Sequence, residues 1–221
     1  LGDAMKCVLL SGGVDSSTAL ALALSRDSQV VAVSIAYNQQ HAQAELAAAK
    51  AVAQHYGVDH RILDLASIFA GSHSALNAAN NLVASQGDYA DQEAPNTEVE
   101  FRNGVFIAIL TSLAMQLGAD ALYFGAHLDD SGVIYPDCSP DFVAAMDQAV
   151  HLGTGGKVCL ETPFGQMTKA DIVKLGLELG VPYHLTYSCY AGSQPPCGQC
   201  GTCIDRRKAF EANGVFETYD Q

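Results

Sequence analysis

Residues 6–24 of the chain read KCVLLSGGVDSSTALALAL, and this stretch decides the predicted fold. Residues 6–10 form a short apolar run that is typical of a buried strand, and the turn Ser11-Gly12-Gly13 follows directly. Residues 15–24 start with Asp and Ser and continue with good helix formers, which predicts a helix. This part of the chain is therefore expected to form a strand, a glycine turn and a helix.

The same alternation continues along the chain. Residues 29–36 are apolar and rich in β-branched types, residues 41–56 are Ala-rich and end at Gly57, and residues 60–65 again resemble a strand. Strands that alternate with helices imply right-handed crossovers and a parallel sheet.

The rest of the chain extends this pattern. Residues 83–97 have little apolar content and no period, so we expect a loop of the length usually kept for a lid or a binding segment. Further elements are predicted in the order helix 103–117, strand 121–126, a helix within 139–152, strand 158–162, helix 168–180 and helix 204–212. The sequence predicts an α/β fold with a parallel sheet of about five strands.

Composition excludes several classes of protein. Hydrophobic residues make up 49% of the 221, which argues against a disordered chain. With 11 basic and 24 acidic residues the net charge is −13, which disfavours general binding to nucleic acid. No apolar run reaches the ~18 residues of a membrane span. Seven cysteines, an odd number, without a visible secretory signal lead us to expect a reducing cytoplasm.

The glycine turn is a candidate phosphate site. The N–H groups of residues 13–17 are expected to point into the space before the helix, where the helix dipole favours an anion. Asp15 is unexpected beside a phosphate unless a cation such as Mg²⁺ lies between them. The turn lacks the Gly-Lys-Ser/Thr of the Walker phosphate-binding pattern and the third spaced glycine of the dinucleotide-binding fingerprint. The alternative is an ordinary strand-to-helix turn with polar caps.

Four cysteines form a candidate metal site near the C-terminus. Cys189, Cys197, Cys200 and Cys203 lie in the Gly- and Pro-rich stretch SCYAGSQPPCGQCGTC. Four thiolates without histidine fit a closed, tetrahedral, structural Zn²⁺ site. An iron–sulfur cluster and a redox dithiol are the alternatives.

Several motifs together resemble a known family. Ser-Gly-Gly-Val-Asp-Ser is similar to the pyrophosphate loop of the ATP pyrophosphatases. The other segments that carry the resemblance are YNQQH at 37–41, RN at 102–103, DSG at 130–132, YPDC at 135–138, LTYSCY at 185–190 and the four cysteines. With them, about residues 5–210 resemble the 7-cyano-7-deazaguanine synthases of the queuosine pathway.

The resemblance implies a fold and an activity. The fold is an adenine nucleotide alpha-hydrolase-like, Rossmann-like α/β fold, with an ATP-pyrophosphatase domain at residues 5–185 and a zinc knuckle at residues 186–221 packed on the same domain. The family forms homodimers. It converts 7-carboxy-7-deazaguanine to the 7-nitrile with ammonia and ATP, through an acyl adenylate and then an amide. Catalysis of this kind depends mainly on positioning and charge neutralisation.

The resemblance also implies residue roles. The residues expected to hold the ATP phosphates, with Asp15 on Mg²⁺, are Ser11, Gly12, Gly13, Val14, Asp15, Ser16 and Ser17. Lys169 is expected to bind a phosphate. The alternative is an ordinary exposed lysine on a helix. Arg102 is expected to neutralise the substrate carboxylate or a phosphate, unless it forms a surface ion pair. We expect Asp15, Lys169 and Arg102 to act in catalysis.

Five more residues are expected beside the deazaguanine. Tyr37 and His41 follow a strand at the sheet edge where such folds bind ligands. The alternative for His41 is a buried or helix-capping histidine without a role in the site. Asp130 and Tyr135 follow another strand. Asp137 is expected to accept hydrogen bonds from the guanine-like N1–H and 2-amino group, unless it caps a turn.

The chain departs from the family pattern on the expected substrate side. Val99-Glu100-Phe101 stands where the family usually has Val-Pro-Gly, and Val133-Ile134 interrupts another motif. His127-Leu128-Asp129 also differs from the segment expected there. A relative that stops at the amide, or transfers the acyl group to another amine such as a protein N-terminus, is therefore an alternative. A tRNA-thiolating enzyme and a non-catalytic ATP sensor are further alternatives, and the acidic charge argues against the first.

Overall fold

The computed structural model describes residues 4–88, 91, 96–127 and 135–217. Its five strands are β1 (Met5–Leu9), β2 (Val30–Ala36), β3 (Asp59–Asp64), β4 (Ala119–Tyr123) and β5 (Cys159–Glu161). Its α-helices are α1 (Val14–Arg26), α2 (Ala42–Tyr56), α3 (Arg102–Leu117), α4 (Pro140–Thr154), α5 (Lys169–Glu178) and α6 (Gly201–Ala212).

The strands form one parallel sheet in the order β3-β2-β1-β4-β5. The chain builds outward from β1 to β3 and then returns through α3 to place β4 on the other side of β1. The strand order therefore reverses between β1 and β4, and open α/β sheets bind ligands beyond the carboxyl ends of the strands at such a point. The predicted parallel sheet of about five strands is confirmed.

Two apolar layers cover the sheet. Successive side chains of β1 point to opposite faces, so Cys7 packs into one layer and Val8 into the other. Ile107 and Leu110 of α3 belong to the layer of Cys7, whereas Leu20 of α1 belongs to the layer of Val8. Cys7 and Val8 are both fully buried, one on each face, so the centre of β1 is apolar on both sides.

Local capping sets two of the helix ends that the sequence predicted. Gly57 ends α2 with φ +66° and donates its N–H to the carbonyls of Ala53 and Gln54. Thr168 and Asp171 form a reciprocal capping box at the start of α5. That box makes Lys169 the first residue of α5, directly above the sheet edge.

Strand β4 ends earlier than predicted. The sequence predicted a strand over residues 121–126, but the strand ends at Tyr123. Phe124 still donates one backbone hydrogen bond, to the carbonyl of Glu161. A Cβ on Gly125 would lie 3.5 Å from the backbone and side chain of Asp15, so the segment passes close to the start of α1 and leaves the sheet.

The C-terminal segment packs on the sheet domain. The side chains of Ala44 and Ala48 on α2 form an apolar cluster with Tyr187 and three of the four cysteines. The Tyr187 N–H also donates to the carbonyl of Gly12 at 2.9 Å. The boundary between residues 185 and 186 stays a prediction. Within the described ranges, none of the helices combines the length and apolar character needed to cross a membrane.

Candidate functional site

A cavity of about 280 Å³ opens at the carboxyl ends of the central strands. The glycine turn after β1, the end of β2 and the residues after β4 form its floor, and α2, α3, α5 and the cysteine segment form its walls. The sequence-predicted residues that line it are Ser11, Gly13, Val14, Asp15, Ser16, Tyr37, Arg102, Tyr135 and Lys169.

The glycine turn holds its hydroxyl groups in a local network. The Oγ atoms of Ser11 and Ser16 lie 3.0 Å apart, and the Ser11 N–H donates to Ser16 Oγ at 3.1 Å. The Gly13 N–H donates to Ser11 Oγ at 3.4 Å, and Ser16 Oγ donates to the Gly13 carbonyl at 3.3 Å. The turn therefore presents hydroxyl and N–H donors at the start of α1, where the helix dipole favours an anion.

Two residues of the predicted phosphate loop do not line the cavity. Gly12 has φ +85°, and a Cβ there would lie 2.6 Å from the Ala49 nitrogen and 2.7 Å from the Glu45 carbonyl oxygen. Gly12 thus lets the turn pack against α2. Ser17 is fully buried, and its Oγ has no hydrogen-bond partner among the described residues.

Asp15 forms a charged cluster at the floor of the cavity. Its Oδ2 lies 2.5 Å from Lys169 Nζ and 3.5 Å from His127 Nε2. Burial raises the pKa of Asp15, but the Lys169 ammonium and His127 outweigh burial and hold it well below its usual range. Lys169 therefore supplies a cation beside Asp15. Sequence reasoning assigned His127 no role in the site, because no local pattern places residue 127 beside residue 15.

Arg102 begins α3 at the opposite side of the cavity. Its guanidinium donates to the Tyr37 hydroxyl at 3.1 Å and lies 5.5 Å from the Tyr37 ring centroid and 5.8 Å from that of Phe106. It forms no salt bridge with any carboxylate in the part of the chain that the structure describes. Aromatic rings thus hold this cation in place at the cavity, and none of the described carboxylates lies within salt-bridge distance of it.

Asp137 lies beside the main cavity and not in its lining. Its Oδ2 accepts a hydrogen bond from the Asn103 N–H at 2.9 Å, which caps the first turn of α3. Its backbone carbonyl accepts from Asn103 Nδ2 at 3.1 Å. Asp137 shares a small side cavity with Arg102 and Tyr135. The Tyr135 hydroxyl in turn lies 2.6 Å from Thr97 Oγ1.

The remaining predicted substrate residues are His41 and Asp130. His41 is 2% exposed, does not line the cavity, and lies with its Nε2 3.5 Å from Glu45 Oε2. Glu45, which sequence reasoning missed, does line the cavity. Asp130 lies outside the described residues, as do Val133 and Ile134.

The four cysteines converge on one point. The Sγ atoms of Cys189, Cys197, Cys200 and Cys203 all lie within 4.8 Å of one another. Backbone N–H groups donate to these sulfurs, from Cys197 to Cys189 at 3.3 Å and from Cys200 to Cys197 at 3.4 Å. Such donors stabilise thiolates, and four thiolates are the ligand set of a closed zinc site. The cluster could hold a metal ion and fits a zinc knuckle.

Comparison with known proteins identifies the family. A family model described as queuosine biosynthesis protein QueC matches residues 5–214. This chain belongs to the QueC family. It is 43% identical over 214 residues to a 7-cyano-7-deazaguanine synthase of Archaeoglobus fulgidus, which covers 96% of this chain and 88% of the relative. A 7-cyano-7-deazaguanine synthase of Caldicellulosiruptor bescii is 42% identical over 208 residues, which covers 94% of this chain and 93% of the relative.

A solved structure supports the fold. The NMN synthetase of Francisella tularensis has a TM-score of 0.51 and 15% identity to this chain, and covers 98% of it and 79% of its own length. The predicted adenine nucleotide alpha-hydrolase-like fold is confirmed, as is the family resemblance. The QueC family places the chain in queuosine biosynthesis, and the chain is an enzyme of the carbon–nitrogen ligase type.

One departure from the QueC pattern lies away from the cavity. Glu100 accepts hydrogen bonds from Ser72 Oγ at 2.6 Å and from the His73 N–H at 3.0 Å, on the outer side of α3. Phe101 is 59% exposed and has φ +52°, a conformation that suits the glycine usual in the family. Neither side chain lines the cavity, so this departure changes the surface of the enzyme and not the site.

Proposed function

We propose that this enzyme converts 7-carboxy-7-deazaguanine and ammonia to 7-cyano-7-deazaguanine, with two ATP molecules cleaved to AMP and pyrophosphate. One observation carries the proposal. A single cavity is lined by the donor-rich glycine turn with Lys169 and by the guanidinium of Arg102, which forms no salt bridge with a described carboxylate. A nucleotide and a carboxylate substrate would each meet a suitable group there.

The glycine turn is proposed to bind the ATP phosphates. N–H and hydroxyl donors of Ser11, Gly13 and Ser16 would hold phosphate oxygens, and Lys169 would neutralise their charge. Asp15 Oδ1 is buried without a hydrogen-bond partner among the described residues, so it suits a divalent cation as its ligand. Mg²⁺ bound there would neutralise further charge on the phosphates.

Arg102 is proposed to hold the substrate carboxylate. Its contacts with Tyr37 and Phe106 fix the guanidinium before any ligand arrives, so little conformational freedom is lost on binding. A carboxylate on Arg102 would face the ATP across the same cavity. Attack of a carboxylate oxygen on the α-phosphate gives the acyl adenylate and pyrophosphate. Ammonia then displaces AMP and gives the amide. A second ATP adenylates the amide oxygen with release of pyrophosphate and a proton, and loss of AMP and the second amide proton gives the nitrile.

The cysteine cluster is proposed to hold a structural Zn²⁺ ion. Four protein ligands fill a tetrahedral zinc ion and leave no position for substrate. Tyr187, Ser188 and Tyr190 lead into the cluster and line the cavity, so metal binding would hold one wall of the site in place. We further propose a cytoplasmic homodimer, as the family resemblance implies.

Mass spectrometry of the products tests the proposed function. Purified protein receives 7-carboxy-7-deazaguanine, ammonium, Mg²⁺ and ATP, and both the base and the adenine nucleotide are identified. We expect nitrile and AMP. Amide or a protein conjugate without nitrile would contradict the proposed product and favour the acyl-transfer alternative. AMP formation without a deazaguanine substrate would contradict the proposed substrate.

An Arg102→Met variant tests the carboxylate site. Loss of a charge-assisted, bidentate contact predicts a fall in kcat/KM of roughly 10- to 150-fold. Arg61→Met, on the exposed edge strand β3, is the matched control because Arg61 pairs with Asp59 and is not among the residues that line the cavity. Equal activity of the two variants would show that Arg102 does not bind the substrate.

A further inference from the structure

The first turn of α2 places a second charged group in the cavity wall. Glu45 lines the cavity, and its side chain is 18% exposed. Gln39 holds it in position. The Tyr37 N–H donates to Gln39 Oε1 at 2.9 Å, which fixes the orientation of the amide, so Nε2 must donate to Glu45 Oε2, also at 2.9 Å. Glu45 is therefore fixed in position as a hydrogen-bond acceptor.

Glu45 is ionised at neutral pH. Burial raises its pKa, but His41, Gln39 and the more distant charge of Arg102 outweigh burial and lower it. His41 and Gln39 both interact with Oε2, and Oε1 has no hydrogen-bond partner in the described part of the chain. One oxygen of a fixed, partly buried carboxylate is thus left for a ligand.

Glu45 and Arg102 carry opposite charges in the same cavity without forming a salt bridge. Glu45 Oε1 and the Arg102 guanidinium are both available to a ligand, and aromatic rings of Tyr37, Phe106 and Tyr190 line the space with them. A matching ligand is flat, carries an anionic group at one point and presents N–H donors at another. A carboxylated, guanine-like base has this combination, and aromatic walls suit a planar ring.

We propose that Glu45 recognises the guanine-like edge of the base by accepting hydrogen bonds from its N1–H and 2-amino groups. This inference rests on the proposed function and adds to it the residue that determines base specificity. It replaces the expected role of Asp137, whose Oδ2 is engaged in capping α3. An adenine-type edge presents an acceptor at N1, which a carboxylate repels, so Glu45 would also exclude the base of ATP from this position.

Calorimetric binding tests the proposal without requiring turnover. The probes are 7-carboxy-7-deazaguanine and its analogue without the 2-amino group. We expect the unaltered protein to bind the analogue roughly 10- to 100-fold more weakly, because the analogue loses a hydrogen bond to a charged acceptor. Glu45→Gln should bind the parent base more weakly by a similar factor and should lose most of the discrimination.

Two further variants serve as controls. Asp205→Asn removes a carboxylate from the same cavity, on α6, and should leave the discrimination intact. Glu45→Asp keeps the charge but withdraws it by one methylene group, so it should discriminate less than the unaltered protein. Thermal unfolding checks that each variant is folded. If Glu45→Gln does not fold, Glu45→Asp serves as the test in its place.

The possible results separate this inference from the proposed function. Equal weakening of both probes by Glu45→Gln, or no weakening of either, would overturn the inference even if the enzyme makes nitrile. Discrimination that depends on Glu45 would support it even if the product is the amide. Loss of discrimination in Asp205→Asn and not in Glu45→Gln would assign the base edge to Asp205 and overturn the inference.

Discussion

Gly12→Ala is expected to damage the enzyme through contact with α2, not through lost contact with a ligand. Gly12 has φ +85°, which costs an L-amino acid roughly 1–2 kcal/mol. The new Cβ would also lie 2.6 Å from the nitrogen of Ala49 and 2.7 Å from the carbonyl oxygen of Glu45. Both are backbone atoms of α2, so no side-chain rotation relieves the overlap.

The two effects can be added. Overpacking of this kind costs roughly 1–3 kcal/mol, so the free energy of unfolding should fall by roughly 2–5 kcal/mol in total. In a chain of this length that corresponds to a fall in Tm of roughly 4–20 °C. Activity should also fall, because separation of the turn from α2 moves Glu45 and the phosphate donors relative to each other.

Gly57→Ala separates the two contributions. Gly57 has φ +66°, but a Cβ there would meet no atom within 4 Å, so only the backbone cost of roughly 1–2 kcal/mol applies. Urea unfolding and thermal unfolding of both variants measure the difference. We expect Gly12→Ala to be less stable than Gly57→Ala by roughly 1–3 kcal/mol. Equal stability would refute the argument that Gly12 is required for the close approach of α2.

Two further predictions concern the cysteine cluster and the charged cluster. Cys200→Ser should lose bound zinc, measured by metal analysis, whereas Cys159→Ser on the exposed edge strand β5 should retain it. Unchanged metal content in Cys200→Ser would contradict the four-thiolate site. Lys169→Met should lower the free energy of unfolding by about 2 kcal/mol at pH 7, because it leaves the Asp15 carboxylate with only His127 near it. In the unaltered protein the pKa of Asp15 is lower in the folded state than in the unfolded state. The ionised carboxylate therefore stabilises the fold fully at any pH above the unfolded-state pKa, and this stabilisation is lost only in strong acid. In the variant the pKa of Asp15 rises because the Lys169 ammonium no longer lowers it, so the stability deficit should shrink between pH 7 and pH 4. A deficit in urea unfolding that stays constant or grows over that range would contradict this.

Short-range patterns predicted most of the fold. Three of these patterns are the apolar residues 7–10, the glycine that ends α2 and the Thr168 cap of α5. Each depends on residues adjacent in the chain, so it can be read directly from the sequence. The parallel arrangement followed from the alternation of strands and helices. The four cysteines and the glycine turn were recognisable because their spacing alone indicates their chemistry.

The sequence by itself thus determined the fold class, the family and the two motifs. Tertiary structure decided which polar groups share the cavity. His127 reaches Asp15 because β4 ends at Tyr123, and Lys169 reaches it across 154 positions of sequence. Glu45 faces the cavity, whereas Asp137 is engaged in capping α3. These outcomes depend on the packing of α2, α3 and α5 around the sheet edge, and no local pattern encodes a distance between residues that are far apart in the chain.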